Sequence, residues 1–282
     1  MSRKHLFAGI GLLAVSLPVC YSAPVASSCD PASLLVAADA YVAAQTAGKL
    51  DSISSLFSTT NFTFQENNKI TDIAKSILAT PLKLDHRRTT ADTTLCATFT
   101  ELISSTGPKP YVIGTQIRQD PANMSAITLI DSIASTTGSW LFDASKTLQY
   151  VLKEEWPTLP EDKRTTRAAL QRTADAYLDM WSNATAADAV AWGTPCTRLE
   201  GSAYTGSGSP NDSCKPGIPS NHSQAPNTHR RYVIDETLGS CSVLCVWEHM
   251  MMAADSHEFR MEGGKLRYVH TMTVCPGQVC RL

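Results

Sequence analysis

AADAYVAAQTAGKLDSISSLF at residues 37–57 and TADAYLDMWSNATAADAVAWG at residues 173–193 are two versions of one passage. Each opens on an Ala-Asp-Ala-Tyr run with helical spacing. Each then crosses a short polar joint into a second apolar segment. A solenoid repeats every ~20–50 residues, so similarity at this distance points to duplication of a whole domain. The chain reads as two copies of one fold in tandem.

In the first copy, residues 27–155, apolar positions Leu34, Leu35, Ala38, Tyr41 and Val42 predict a helix over Ser33–Ala47 that stops at Gly48. A short helix over Leu50–Phe57, a strand over Asn61–Glu66 and a helix over Ile70–Leu78 follow. Strands are expected at Thr89–Leu102, Tyr111–Gln119, Ala126–Ile133 and Thr147–Glu154. Helices followed by an antiparallel sheet make an α+β layout. Residues 156–165, with Pro157 and Pro160 among charges, read as a linker. The second copy, residues 166–282, has helices over Arg167–Ser182 and Ala186–Trp192 and a long loop over Gly201–Thr228. Its strands are expected at Arg230–Glu236, Cys241–His249, Ser256–Glu262 and Lys265–Val274.

Glu262-Gly263-Gly264-Lys265 is a strong signal for a two-residue hairpin. In that register Met261 faces Leu266, Phe259 faces Tyr268 and His257 faces His270, all on one apolar, aromatic face. Glu258, Arg260, Glu262, Lys265 and Arg267 would form the opposite, solvated face.

Residues 1–26 read as a secretory signal peptide: Arg3, Lys4 and His5, an apolar run over Leu6–Cys20, then small residues. The run is too short for a comfortable membrane span. Of nine cysteines, Cys20 leaves with the leader. The other eight are expected in disulfides. Cys29 pairs with Cys96, Cys196 pairs with Cys214, and Cys241, Cys245, Cys275 and Cys280 pair among themselves. A metal site at those last four is the disfavoured alternative, since thiolates in an oxidising compartment oxidise. Sequons at Asn61, Asn123, Asn183, Asn211 and Asn221 fit export and predict exposed positions. The net charge of -2 gives no basic footprint for nucleic acid. Hydrophobic content of 43% and charge of 18% are those of a globular chain.

A curved sheet with an apolar inner face, closed by its leading helix, encloses a pocket of the small-molecule type. Tyr177, like Tyr41 in the first copy, sits on that helix. His257 and His270 are candidate proton-transfer groups near neutral pH. Asp235 is a candidate carboxylate base, and Tyr177, Tyr204 or Tyr268 a candidate donor to an enolate oxygen. Phe259 and Met261 join Tyr204 and Tyr268 as pocket wall. The structural readings stand beside these. The histidines would be a core or rim pair, the tyrosines packing, and Arg230-Arg231 with Asp235-Glu236 a cross-strand ion network. There is no G-x-S-x-G, P-loop, dinucleotide fingerprint or H-E-x-x-H. No cofactor and no metal are expected.

The order helix, helix, strand, helix, sheet, twice over, resembles a tandem of the nuclear-transport-factor-2-like (NTF2-like) α+β cone. That is the fold of ketosteroid isomerases and SnoaL-type cyclases. GTPCTRLEG (193–201), AYTG (203–206), DSC (212–214), RRYVIDE (230–236) and DSHEFRMEGGKLRYVHTMTV (255–274) resemble a family of secreted fungal proteins of unsettled activity. The resemblance extends to ketosteroid-isomerase-like cyclases of fungal natural-product pathways, some of which join maleic-anhydride monomers into maleidrides. It implies a cofactor-independent cyclase or isomerase acting on an apolar small molecule. The isomerases' strand aspartate and tyrosine oxyanion donor have no matched positions here, so the pocket is implied more firmly than the reaction. The alternatives are a secreted carrier without catalysis and an interaction protein with a vestigial pocket. Oligomeric state is left open.

Overall fold

The structure is a computed structural model that describes residues 29–277 and Cys280; the leader assigned to residues 1–26 lies outside them. Helix α1 (Pro31–Ala47) starts where Asp30 accepts a hydrogen bond from the Ser33 amide and Pro31 occupies the first turn. It ends at Gly48, whose φ of 63° gives the left-handed cap a side chain would resist. Six strands follow: β1 (Thr63–Glu66), β2 (Lys69–Ile70), β3 (His86–Asp92), β4 (Ala97–Ser104), β5 (Tyr111–Asp120) and β6 (Asn123–Thr136). Their order in the sheet is β2-β1-β6-β5-β4-β3, with β1 parallel to β6.

Helix α2 (Ala144–Val151) leads to α3 (Arg167–Asp179) and the single-turn α4 (Ala186–Ala189). Then come β7 (Trp192–Glu200), β8 (Ala203–Tyr204), β9 (Asn227–Asp235), β10 (Ser240–Trp247), β11 (Ala253–Glu262) and β12 (Lys265–Val274). The second sheet is ordered β8-β7-β12-β11-β10-β9, with β7 parallel to β12. Each strand takes the place of the one six earlier. The chain is thus α+β with two six-stranded mixed sheets. Among the described residues, no helix is long and apolar enough to cross a membrane.

Local differences from the sequence reading have local causes. The strand expected at Thr147–Glu154 is helix α2 with its C-terminal turn. Asp143 caps it by accepting from the Lys146 amide, and Ala144, Thr147 and Val151 form its buried stripe. The helix expected over Ile70–Leu78 is the end of β2 and two 3-10 turns, Ile73–Lys75 and Ile77–Ala79. The helix expected over Leu50–Phe57 shrinks to one 3-10 turn, Ser54–Leu56. The run Thr89–Leu102 is split between β3 and β4 by a turn in which Asp92 accepts from the amides of Thr94 and Leu95. No strand was expected at Trp192–Glu200, where β7 lies.

Cys29–Cys96, Cys196–Cys214 and Cys275–Cys280 are disulfides, while Cys241 and Cys245 are free and buried. The expected pairing of the last four therefore holds for two. Cys241 and Cys245 lie four residues apart on β10, about 13 Å of extended chain. A disulfide needs Cα atoms within ~7 Å. The five sequon asparagines are all exposed.

The sheets pack back to back. Helix α1 covers the outer face of the first, where Tyr41, Leu102, Ile113, Ile117 and Ile130 form a core. Helix α3 covers the outer face of the second, over Tyr177, Val243, Phe259, Met261 and Val269. Between the sheets, Phe99, Ile103 and Val112 meet Leu199, Val233, Leu244 and Met272.

This arrangement corrects the hairpin register. Met261 pairs with Leu266, but Arg260 then pairs with Tyr268, so Arg267 is an extra residue in a β-bulge. Phe259 consequently faces Val269, His257 faces Thr271 and His270 faces Glu258. A one-residue slip reverses every later side chain. His257 points toward α3 and His270 toward the first sheet. The charged face is not solvated either: Glu258 and Arg260 are buried between the sheets, Arg260 completely.

There Arg88 of β3 lies 2.8 Å from Glu101 and 2.6 Å from Glu258. Trp156, from the segment read as a linker, stacks on the Arg88 guanidinium at 3.8 Å. His270 places Nδ1 3.1 Å from Glu101 and Nε2 2.7 Å from Glu154. Burial alone would lower the His270 pKa, but Glu154 and Glu101 outweigh it and raise it from 6.5 to about 10. Burial likewise opposes ionisation of Glu101, and Arg88 and His270 hold it well below the ordinary carboxylate range.

A histidine pKa raised by folding contributes stability that is full below its unfolded value and is lost as pH rises through its folded value. Denaturant midpoints of the wild-type protein should therefore fall by a few kcal/mol equivalent between pH 6.5 and about 10. His270→Gln should be less stable at pH 6 and nearly flat over that window. Parallel slopes for the two proteins would remove His270 from the account.

Candidate functional site

The outer face of the second sheet carries the unusual chemistry. Strand register sets its side chains in rows. Arg198 of β7 lies opposite Val269 of β12, which lies opposite Phe259 of β11. In the next row are Glu200, Thr271, His257 and Val243. In the third are Thr273, Asp255 and Cys245. Polar groups thus cross the cup diagonally. The first cup carries hydroxyls where the second carries charges. Its Tyr41 hydroxyl shares a 2.7 Å hydrogen bond with Thr115, which shares one of 2.8 Å with Ser132, and aliphatic and aromatic side chains, Ile113, Ile117, Phe64 and Tyr111 among them, pack around them.

At the β7 end of the diagonal is a cavity of about 460 Å³. Its apolar wall is three indoles: Trp181 just past α3, Trp247 at the end of β10, and Trp140 from the segment between β6 and α2. Arg198 and Glu200 supply its charges. The long loop after β8 closes it, with Pro216, Gly217 and Gln224. That loop is fastened from below. Cys214 is bonded to Cys196, and Arg198 donates to the Pro216 carbonyl at 2.6 Å and the Cys214 carbonyl at 3.4 Å. Gly217 (φ 80°) passes so close that a Cβ there would sit 2.9 Å from the Arg198 guanidinium. Trp247 donates to Gln224 at 3.0 Å.

Glu200 Oε2 is 3.3 Å from Arg198 Nε. Burial raises the Glu200 pKa, and Arg198 acts against the rise without cancelling it. The Tyr177 hydroxyl lies 3.5 Å from the same guanidinium. Burial pushes its pKa up to about 12, so Tyr177 is a neutral hydrogen-bonding group. A carboxyl easier to protonate than usual, a fixed cation and three indoles meet in one hollow.

The residues expected from sequence divide between the two faces. Tyr177, His257, Phe259 and Met261 do come together in the cup, with the Tyr177 ring 5.8 Å from His257 and 5.1 Å from Phe259. They lie beneath the cavity and not in its wall. Tyr204 lines the cavity, its hydroxyl donating to Thr197 at 3.0 Å. Tyr268 lies on the other face, stacked on Trp156 at 5.7 Å. His270 belongs to the buried ion network between the sheets. Asp235 accepts from the amides of Ala91 at 2.9 Å and Leu238 at 3.0 Å, so it ties β9 to β3 and stands away from the hollow. Burial raises the thiol pKa of Cys241 and Cys245, which leaves neither a ready nucleophile.

A family profile described as "Domain of unknown function (DUF8021)" matches residues 163–273. No curated protein and no solved structure matches the chain. The matched stretch contains α3 and all of the second sheet but Val274, so it holds the polar diagonal and the cavity lining except for Trp140 and Leu141.

Arg198 and Glu200 were not among the expected site residues because Gly193 and Pro195 interrupt the strand pattern of WGTPCTRLE, and no strand was expected there. Two signals were present. Cys196, Arg198 and Glu200 alternate with Thr197 and Leu199, and the corresponding strand of the first copy, β1, was legible.

Hydrogen bonds from a charged donor contribute ~1.5–3 kcal/mol each way they are counted. Arg198→Met should therefore speed proteolytic cutting within residues 206–226 by about ten- to a hundredfold. Far-UV circular dichroism should stay that of the wild type. An unchanged cutting rate in the folded variant would show that Arg198 does not hold the loop.

Proposed function

We propose that the second copy is a proton-transfer site for an apolar small molecule, a cyclase or isomerase of fungal secondary metabolism on an NTF2-like cone. The observation that carries this reading is Glu200. Its carboxyl is desolvated, its pKa is raised, and it opens into a hollow walled by indoles. A carboxylate so placed takes a proton from an activated carbon more readily than one in water. Arg198, fixed by backbone carbonyls, offers positive charge to the oxygen on which negative charge develops. The Tyr177 hydroxyl adds a neutral donor beneath it. A volume of about 460 Å³ lies within the usual range of small-molecule sites. The helix-first order and the duplicated strand sequence support the NTF2-like reading. Three disulfides and five exposed sequons support passage through the secretory pathway. Maleidride-type dimerising cyclisation is one reaction of the proposed kind.

A carrier without turnover is the second reading. It is favoured by the placement of His257 beneath the cavity and of His270 and Asp235 outside it. Gene deletion with metabolite profiling separates the two. On the catalytic reading the deletion strain accumulates an uncyclised or unisomerised precursor, and complementation with Glu200→Gln leaves it accumulated at least a hundredfold over the wild-type strain, the usual cost of a lost acid–base group being ~10²–10⁴. With the precursor in hand, the rate should climb with pH through a midpoint above the ordinary carboxylate range. Full rescue by Glu200→Gln would leave the carrier. An unchanged profile on deletion would discard the cyclase or isomerase.

A further inference from the structure

Deeper on the polar diagonal is a cluster that the cavity chemistry does not use. Cys245 and Asp255 are directly opposed across β10 and β11, and His257 stands two residues on. The pleat therefore directs all three side chains into the cup. Cys245 and Asp255 are fully buried, and His257 is 5% exposed. Cys245 Sγ is 3.6 Å from Asp255 Oδ2, and His257 Nδ1 is 2.9 Å from the same oxygen. The three donor atoms lie within 4.8 Å of one another. Short as the Nδ1 distance is, its geometry makes no hydrogen bond, so a buried ring nitrogen lies beside the carboxylate without a partner. The second carboxylate oxygen, Oδ1, accepts from the Thr273 hydroxyl at 2.7 Å, which fixes the plane and leaves Oδ2 to face the cluster. Phe259 and Tyr177 hold the imidazole from the sides.

Zinc lies ~2.3 Å from a thiolate sulfur and ~2.0–2.2 Å from nitrogen and oxygen ligands. Tetrahedral angles then put the ligand atoms about 3.3–3.6 Å apart. The Cys245–Asp255 separation of 3.6 Å falls in that range, and the His257–Asp255 separation of 2.9 Å would have to open by about 0.4 Å. Thiolate, imidazole and carboxylate together suit a borderline-soft divalent ion. The other acidic and histidine cluster of the fold, Glu101, Glu258 and His270, already holds a cation, the Arg88 guanidinium. Among the described residues, no arginine or lysine forms an ion pair with Asp255 beside Cys245.

We propose that Cys245, Asp255 and His257 bind one divalent transition-metal ion of the zinc class, leaving a fourth position for an exogenous oxygen donor. On binding, the Cys245 S–H bond gives its proton to solvent as the metal–sulfur bond forms. The site goes beyond the Glu200 reading, and metal content, not turnover, measures it.

The test uses the secreted, disulfide-bonded protein, stripped with a chelator and titrated with Zn²⁺ alone and with Co²⁺ alone. The expected result is one equivalent bound, a higher melting temperature, and the thiolate-to-cobalt charge-transfer absorption in the near ultraviolet. Cys245→Ser should lose that absorption. Cys241→Ser, which removes the other buried free thiol from an apolar setting, should keep it. Asp255→Asn and His257→Gln should each weaken binding by more than about tenfold. Should Cys245→Ser not fold, the wild-type cobalt spectrum and the two other ligand variants decide. Folded wild-type protein that takes up neither ion, or a charge-transfer band that survives Cys245→Ser, would overturn the site.

Discussion

Everything in this molecule is arranged around one largely buried guanidinium. Arg88 is clasped by Glu101 of its own sheet and Glu258 of the other, and is roofed by Trp156. Charges this deep are costly to bury and become tolerable only when their partners are complete. Here they are nearly so: Ser240 donates to Glu258 at 3.0 Å, and Glu101 and Glu154 share the His270 imidazolium. Removing one partner of such a set costs ~3–5 kcal/mol, because the rest are left charged and dry. The network therefore dictates that the sheets meet back to back in one register, and greasy packing alone would not specify it so closely. Arg260 extends it, donating to the carbonyls of Leu238 and Pro157. The connecting segment is thus built into the joint between the copies.

Back-to-back packing turns both cups outward, and the two copies then diverge. In the first cup the tyrosine is satisfied by Thr115, itself bonded to Ser132, amid aliphatic and aromatic side chains. The second cup keeps the same tyrosine but gives its hydroxyl an arginine for company. From that one exchange the polar content spreads along the register, through Glu200 and His257 to Asp255 and Cys245. The segment that follows the first sheet contributes Trp140 to the wall of the second cup's cavity.

What the sequence disclosed and what it hid follow from the range of the forces involved. The repeated Ala-Asp-Ala-Tyr helices were legible because helical periodicity is local. The Gly263-Gly264 turn was legible because few other residues accept its backbone, with φ of 56° and 76°. The Arg267 bulge four residues away was not. It is imposed by the far sheet, which needs Tyr268 and His270 on the buried side. The same cause hid the network: Glu258 and Arg260 read as solvated because alternating charge on a strand usually is, and only the facing sheet supplies Arg88 and Glu101. Of the candidate site, Tyr177, His257 and Phe259 could be grouped from one hairpin and one helix. Arg198 and Glu200 could not, since β7 is parallel to its neighbour and carries a proline, so neither a turn signal nor a clean pattern announces it.

The long loop is best understood through Arg198. One side chain spends its hydrogen bonds on the Pro216 and Cys214 carbonyls, its charge on Glu200 and an edge on Tyr177. It therefore joins the lid, the carboxyl and the cup floor in a single group. A ligand that drew the guanidinium toward its own oxygen would weaken Arg198's grip on the loop and its hold on Glu200 at once, because the same five N–H groups serve all three. Gly217, pressed against that guanidinium, leaves no room for it to shift while the loop stays in place. Entry to the cavity and the protonation of Glu200 are in this way coupled through one residue.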